Sequence, residues 1–240
     1  MSKNLKIFLG VSYLLILFFF LYFIFTAIEI NRLDDFAYYK EIQTNLETYI
    51  SKNILINVIY FFIFAIIWVT LLGFGSPILI ISGILFGKII GTLVSVVSIS
   101  IGALLLYSIG NFFFRDLVKS ILEKKFNKYI QLFQKNEFFY FFIYRFIGGL
   151  GVPFGLQNLI PILFGMKKIN YFLASFFGFI PGFFIINTIG AGLNTYISQA
   201  DSFSMIDFIF TPQIYLPILM FSALMFFSII IKKKFFDDTN

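Results

Sequence analysis

Residues 84–88 read Ile-Leu-Phe-Gly-Lys, and residues 162–167 read Ile-Leu-Phe-Gly-Met-Lys. Each stretch closes a long run without charged residues, and each is followed in the next run by an Ile-Gly pair, at 109–110 and at 189–190. Apolar segments that are interrupted at matching positions of two halves are typical of membrane transporters built from internal repeats. This internal repeat decides the predicted fold.

The composition places the chain in a membrane. It is 60% hydrophobic and 12% charged, and a soluble domain of this length exposes too much surface to be so apolar. A helix needs about 20 apolar residues to cross the hydrocarbon core. Uncharged runs of at least that length cover residues 7–28, 53–87, 89–114, 146–166, 169–200 and 208–231. These runs predict an all-α polytopic membrane protein.

Two of the runs are broken by glycine and proline. The sequence Gly-Phe-Gly-Ser-Pro at 73–77 stops a helix, and the roughly ten apolar residues before Gly87 would rise only about 15 Å, half of the core. Residues 138–165 repeat this pattern around a glycine-rich turn at 148–153. Interrupted backbone at membrane depth has to be buried in protein or line a cavity. We therefore predict two re-entrant helical hairpins.

A single full crossing, at about 89–113, separates the two predicted hairpins. One crossing turns the second repeat upside down relative to the first, so the sequence predicts an inverted repeat whose hairpins oppose each other. About five crossing helices are predicted in all, at 7–28, 54–73, 89–113, 169–190 and 213–231. The first run exceeds the roughly 7–15 apolar residues of a signal peptide and is interpreted as a retained helix.

The remaining segments are polar or amphipathic. Residues 115–135 carry apolar side chains at helical spacing with lysines between them, which predicts an amphipathic helix in the membrane interface; a solvated basic loop is the alternative. Residues 29–52 are interpreted as a connecting helix or loop, and residues 191–211 as a loop. The predicted divisions are an N-terminal helix with its connection (1–52), the repeat core (53–195), and a loop with a C-terminal helix and basic tail (196–240).

Arg145 is the strongest candidate for a functional residue. It is the only charged residue between Glu137 and Lys167, and an ionisable group at membrane depth is a functional hypothesis by default. It stands beside a glycine-rich turn, where exposed amides can hold an anion, and its planar fork suits phosphate. The alternative is that it reaches an interface or binds carbonyl groups of the turn.

Other candidates surround this turn and its counterpart in the first repeat. Gln157 and Asn158 follow the turn and offer both donors and acceptors, either to a head group or to backbone groups freed by neighbouring prolines. The predicted binding set is Arg145, Gly148, Gly149, Gly151, Pro153, Gln157, Asn158, Gly83 and Gly87. The glycines are predicted to permit close helix contact and tight turns first, and binding second.

Several function classes conflict with the composition. The chain has no Cys and no His, which excludes disulfides, thiolate nucleophiles and Cys/His metal sites. We expect no cofactor and no enzymatic activity, because no nucleophile–base pair or metal-binding cluster is visible. The absence of Asp and Glu between residues 53 and 114 is unusual for a proton-coupled carrier.

These residues resemble the DedA superfamily, also called the VTT-domain or SNARE-associated Golgi protein family. The resemblance covers about 54–195. The matching pieces are Pro77 with Gly83–Gly87 and Gly91, Tyr107–Gly110 before Arg115, then Arg145, Pro153-Phe154, Asn158 and Gly165, and finally Ser175, Gly178, Pro181-Gly182 and Gly190. The chain departs from the family pattern at Gly110-Asn111, where a Gly-Arg pair is usual, and at Gly148-Gly149, where a proline is common.

The resemblance implies two opposed re-entrant hairpins and a role in moving lipids between leaflets. Bacterial relatives are linked to recycling of undecaprenyl phosphate or to phosphatidylethanolamine translocation, and eukaryotic relatives to phospholipid scrambling. The leading hypothesis is a lipid translocase in the plasma membrane of a bacterium, with anionic lipid head groups as partners and no nucleic acid. A small-solute or ion carrier and a non-transporting membrane scaffold are the alternatives.

Overall fold

The protein is helical throughout the part of the chain that the structure, a computed structural model, describes: residues 3–27, 35–202 and 204–232. The helices are α1 (Lys3–Ala27), α2 (Phe36–Lys52), α3 (Ile54–Leu72), α4 (Ser76–Lys135), α5 (Glu137–Phe146), α6 (Phe154–Leu159), α7 (Pro161–Phe164), α8 (Lys168–Gln199), α9 (Met205–Phe210) and α10 (Pro212–Lys232), with a 3₁₀ turn at Gly148–Gly151. The predicted all-α class is confirmed.

Three helical stretches of the described residues are long and apolar enough to cross a membrane: Ile54–Leu72, Ser76–Asp116 and Lys168–Gln199. Large apolar side chains cover their outer faces, as at Leu55, which is 73% exposed, and Leu93, which is 64% exposed. Such surfaces suit lipid rather than water. The protein is therefore an integral membrane protein, as predicted, while the number of crossings stays a prediction.

Helix α4 is interrupted at Gly87, where the chain reverses. Gly87 has φ 73° and ψ −179°, a conformation open mainly to glycine. The Ser82 hydroxyl donates to the carbonyl oxygen of Gly91 at 3.0 Å, although residues nine apart on a straight helix are separated by about 13–14 Å. Residues 76–86, here called the first arm, therefore fold back against the beginning of the 88–135 segment.

The second hairpin is built from α5, the 3₁₀ turn, and α6 with α7, which together form the second arm (residues 154–164). Its two sides run antiparallel, because Arg145 near the end of α5 binds Asn158, while Glu137 at the start of α5 binds the backbone of Lys167 beyond the second arm. Asn136 caps α5 by accepting from the Phe139 amide, and the turn separates α5 from the second arm. The chain thus reverses at 87 and at 148–153. The sequence predicted the turn at 148–153, whereas for the first hairpin it placed the break at 73–77.

The long helices of the two repeats pack antiparallel. A Cβ on Gly91 would lie 2.6 Å from Oδ1 of Asn187, and the rings of Tyr107 and Tyr171 stack with centroids 4.6 Å apart. From 91 to 107 on α4 the chain advances sixteen residues, and from 187 to 171 on α8 it goes back sixteen. This opposite progression supports the predicted inverted relation of the repeats.

Each long helix also covers the arm of the other repeat. A Cβ on Gly110 of α4 would collide with Leu159 in the second arm, and a Cβ on Gly190 of α8 would collide with the backbone of Ile80 in the first arm. The two Ile-Gly pairs of the sequence therefore mark equivalent contacts. Reciprocal contacts of this kind are those that a twofold axis produces.

The predicted boundary between a helix at 89–113 and a separate helix at 115–135 was wrong. Residues 115–135 are helical, but they continue the helix that begins at 88 without a non-helical residue, because no glycine or proline stops it between 111 and 135. The side chains at 117–130, on which the amphipathic pattern rests, lie outside the described residues. The basic tail beyond 232 and residues 29–34 of the predicted connection lie outside them as well.

The predicted loop at 191–211 is largely helical. Helix α8 continues to Gln199, and α9 forms at Met205–Phe210. Gly190 and Gly192 lie at the predicted end of the helix, and both serve close packing: Gly190 lies against the first arm, and Gly192 against the backbone of Gln213 in α10. Tertiary contact here outweighs the low helix propensity of glycine.

The contact at Gly190 predicts a measurable asymmetry between two glycines of the same helix. Substitution of Gly190 by Ala should lower the free energy of unfolding by about 1–3 kcal/mol, since the new methyl group has no space against Ile80. Gly182→Ala is the matched control, because nothing lies within 4 Å of its Cβ position. Thermal unfolding of both variants in detergent measures the difference, and equal midpoints would contradict the packing described above.

Candidate functional site

Arg145 lies in the last turn of α5 and is 2% exposed. Its position depends on Gly178 of α8, because a Cβ there would lie only 2.5 Å from the Cβ of Arg145. The absence of a side chain at 178 lets α5 and α8 approach until the arginine is enclosed between them. A long cationic side chain thus becomes fully buried next to a helix that could cross a membrane.

The guanidinium group of Arg145 is held by three neutral side chains. Its Nη1 donates to Oε1 of Gln157 at 3.0 Å, and its Nη2 donates to Oδ1 of Asn158 and to the hydroxyl of Tyr171, the latter at 2.9 Å. The Tyr171 hydroxyl donates in turn to Oδ1 of Asn158 at 3.1 Å. The second arm and α8 therefore meet at this arginine through one connected network.

Aromatic rings surround the same group. The Cζ atom of Arg145 is 4.7 Å from the ring centroids of Phe141 and of Phe179, 5.5 Å from that of Phe154 and 5.6 Å from that of Tyr171. The negative faces of aromatic rings attract a cation at such distances. They stabilise the guanidinium without neutralising its charge.

No carboxylate of the described residues contacts Arg145, and all of its hydrogen-bond partners are neutral. Two donors of the network, Nε of Arg145 and Nδ2 of Asn158, are buried without a hydrogen-bond partner. Buried charges are normally paired, and buried donors are normally satisfied. The site therefore carries one uncompensated positive charge and two open donors, which is the chemistry of an anion site.

The glycine-rich turn is held by the side chain of Gln157. The amide nitrogen of Gln157 donates to the carbonyl oxygen of Val152 at 2.6 Å and to that of Gly148 at 3.4 Å. Gly149 packs so closely against this amide that it has no space for a Cβ, and its φ is 72°. Gln157 thus links the turn to Arg145 and satisfies backbone groups of the turn, while its predicted contact with a head group stays a prediction.

The first repeat contains the same packing without the charge. A Cβ on Gly102 of α4 would meet the Cβ of Val69 and the carbonyl oxygen of Ile66, just as one on Gly178 would meet the Cβ of Arg145 and the carbonyl oxygen of Phe142. The spacing is identical, since 102 − 69 and 178 − 145 both equal 33. Val69 therefore occupies the position in the first repeat that Arg145 occupies in the second.

Comparison with known proteins identifies the family to which this architecture belongs. The model of the VTT domain matches residues 73–192, which is half of the chain and contains both arms, α4 and most of α8. The chain belongs to the VTT-domain family. This is the DedA or SNARE-associated Golgi protein family that the sequence motifs indicated. No curated protein and no solved structure matches the chain.

Within this VTT domain, the predicted binding residues fall into two separate groups. Arg145, Gln157 and Asn158 are joined by hydrogen bonds, and Gly148 and Gly149 contact Gln157. Gly151 has φ 78° at the end of the turn, and Pro153 directly precedes α6. Their role in binding a substrate stays a prediction.

The two candidates from the first repeat are not joined to this network. Gly83 packs against the backbone of Asn187, and nothing lies within 4 Å of a Cβ on Gly87. Because Gly178 and Asn187 are nine residues apart on α8, Gly83 and Arg145 contact levels of that helix about 13–14 Å apart. In this conformation the first arm and Arg145 both pack on α8, at different levels of that helix.

Two residues that hold the second hairpin against α8 escaped the sequence analysis. Tyr171 completes the Arg145 network, and it is one of 13 tyrosines in the chain, so residue type alone gave no signal. Glu137 is 8% exposed; its carboxylate accepts from the Lys167 amide at 3.1 Å and from Nδ2 of Asn170 at 2.6 Å. Glu137 therefore anchors the N-terminus of α8, where a negative charge is favourable.

Removing the Glu137 carboxylate should weaken the attachment of the start of α5 to the start of α8. Glu137→Ala deletes both acceptors at a buried helix end, so we expect the free energy of unfolding to fall by about 1–3 kcal/mol. Glu137→Gln retains one amide oxygen and should lose less. Thermal unfolding of the two variants in detergent distinguishes them, and an alanine variant as stable as the native protein would show that the anchor contributes nothing.

Proposed function

We propose that this VTT-domain protein is a lipid translocase that moves phospholipid or polyprenyl phosphate between leaflets. The observation that carries the proposal is the buried guanidinium of Arg145, which has no carboxylate partner among the described residues. A charged side chain at the centre of a membrane helix costs about 2.5–3.5 kcal/mol on insertion scales. A transported anion would supply the counter-charge that the described residues do not provide, which accounts for the retention of this arginine.

The chemistry of the site favours a phosphate head group. The fork of an arginine can contact two oxygens of a phosphate at once, and the neighbouring Asn158 adds an amide donor without a partner. Binding of the phosphate would neutralise the single positive charge of the site. The amide, phenol and aromatic groups around it would remain neutral in both the empty and the occupied site.

The architecture favours a lipid over a free solute. The first arm, residues 76–86, and the second arm, residues 154–164, contain eleven residues each, or about 16 Å as helices, which is roughly half of the hydrocarbon core. We propose that both hairpins are re-entrant and that the head group passes along them while its tails stay in lipid. The exposed apolar faces of the helices are suited to contact with those tails.

Movement would follow from the repeat. The antiparallel α4 and α8 hold the arms through glycine contacts, and rocking of one repeat against the other is the usual means by which such proteins expose a site alternately. In the described conformation Arg145 is closed off from both sides, with 2% of its surface exposed. We further propose the plasma membrane of a bacterium as the location, as the resemblance implies.

Replacement of Arg145 by Met should separate function from stability. Met preserves much of the apolar volume of the side chain but removes the charge, so leaflet exchange of an anionic phospholipid in proteoliposomes should fall at least about ten-fold. The variant removes the cost of burying a charge but leaves Oε1 of Gln157 and Oδ1 of Asn158 with one donor fewer, so the exchange rate is normalised to the amount of folded protein. Fluorescent phosphatidylglycerol with dithionite quenching measures the exchange rate.

Val69→Ala is the matched control, since Val69 lies at the equivalent position of the first repeat. It should lower stability through the lost methyl groups and leave the exchange rate within about two-fold of the native protein once folded protein is quantified. Native-like exchange by the Arg145→Met variant would refute the assigned role of the charge. Absence of exchange by the native protein would refute translocation itself.

A further inference from the structure

The Arg145 network contains two open donors that face no protein acceptor. Nε of Arg145 and Nδ2 of Asn158 are both buried and unpaired, and their parent side chains are 2% and 0% exposed. The groups that carry them are joined by the hydrogen bond from Nη2 to Oδ1. The two donors therefore belong to one hydrogen-bonded unit with a net positive charge.

Tyr171 determines how this unit is oriented. Its hydroxyl accepts from Nη2 of Arg145 at 2.9 Å and donates to Oδ1 of Asn158 at 3.1 Å. Because Oδ1 of Asn158 accepts from both Arg145 and Tyr171, the orientation of its carboxamide is fixed. The Nδ2 atom is then the end of the carboxamide that faces neither of these two partners. Without the hydroxyl, Asn158 would keep one of these two bonds and could rotate, and the guanidinium would lose one of its three acceptors.

We propose that a phosphate-type anion binds to Nε of Arg145 and Nδ2 of Asn158, and that Tyr171 is the positioning residue that orients both donors. This inference rests on the proposed function, because the anion is the head group to be moved. It adds to that function the atoms that hold the anion and a residue of α8 that keeps them in place. Tyr171 acts through its neighbours and itself offers the anion no further proton.

Tyr107 provides a matched comparison from the other repeat. Its ring stacks on that of Tyr171 with planes 9° apart, and its hydroxyl donates to the carbonyl oxygen of Met166 at 2.6 Å. Both tyrosines are buried, at 1% and 0% exposure. Replacing either by Phe removes one buried hydroxyl from the same stacked pair, but only Tyr171→Phe alters the Arg145 network.

The test measures anion affinity by stabilisation of the full chain in detergent. Lysophosphatidate is titrated against the native protein and the two Phe variants while the thermal midpoint is followed, because a ligand of the folded state raises it according to its affinity. Monoacylglycerol of the same chain length, which lacks the phosphate, is the ligand control. The concentration that gives half of the maximal shift is the quantity compared.

We expect lysophosphatidate to raise the midpoint of the native protein and monoacylglycerol to raise it much less. Tyr171→Phe should raise the half-saturating concentration about ten-fold, as expected for loss of a hydrogen bond that orients a charged group. Tyr107→Phe should lower the midpoint without ligand but leave the half-saturating concentration within about two-fold. A merely structural hydroxyl would change the midpoint in both variants and the affinity in neither.

Three results would overturn the inference. The half-saturating concentration of lysophosphatidate could be equal for the two Phe variants, or that of Tyr171→Phe could equal that of the native protein. The third such result is equal stabilisation of the native protein by lysophosphatidate and monoacylglycerol. The leaflet-exchange assay is independent of these. If the native protein binds lysophosphatidate in the expected way but exchanges no lipid, the anion site stands and translocation fails. If it exchanges lipid and Tyr171→Phe binds normally, translocation stands and this assignment fails.

Discussion

The close antiparallel contact between α4 and α8 positions both arms and the buried arginine. Glycines at matching places let each long helix touch the arm of the other repeat, at Gly110 in one direction and at Gly190 in the other. In lipid there is little hydrophobic force between helices, so such small-residue packing supplies much of the attraction. The same approach, at Gly178, closes the protein around Arg145.

The two repeats have the same packing and different chemistry. Val69 and Arg145 occupy equivalent positions against Gly102 and Gly178, yet only Arg145 is charged, and amide, phenol and aromatic groups surround it. A buried charge without a counter-charge does not improve stability. The free-energy cost of burying a charge therefore arises in one repeat alone. In a translocase, this arrangement would provide a single binding site for a negative head group.

Where the sequence misled, local signals competed with tertiary contact. The sequence placed the end of a helix at 190, but in the folded protein Gly190 and Gly192 are contact points and α8 continues to Gln199. At 115–135 the change in polarity suggested a new helix, although no residue there interrupts the backbone. Composition predicts the environment of a segment, whereas helix ends depend on what packs beside them.

The sequence alone was enough to predict the membrane class, the family, the internal repeat with the turn at 148–153, and three members of the Arg145 network: Arg145, Gln157 and Asn158. These follow from uncharged runs, from glycine and proline at matching positions, and from an isolated charge, all of which are local or periodic properties. Only the tertiary structure decided that Tyr171 completes the network and that Gly83 lies apart from it. Those facts depend on which faces of distant helices meet, and the pairing of α8 with both arms sets them through contacts that no spacing along the chain encodes.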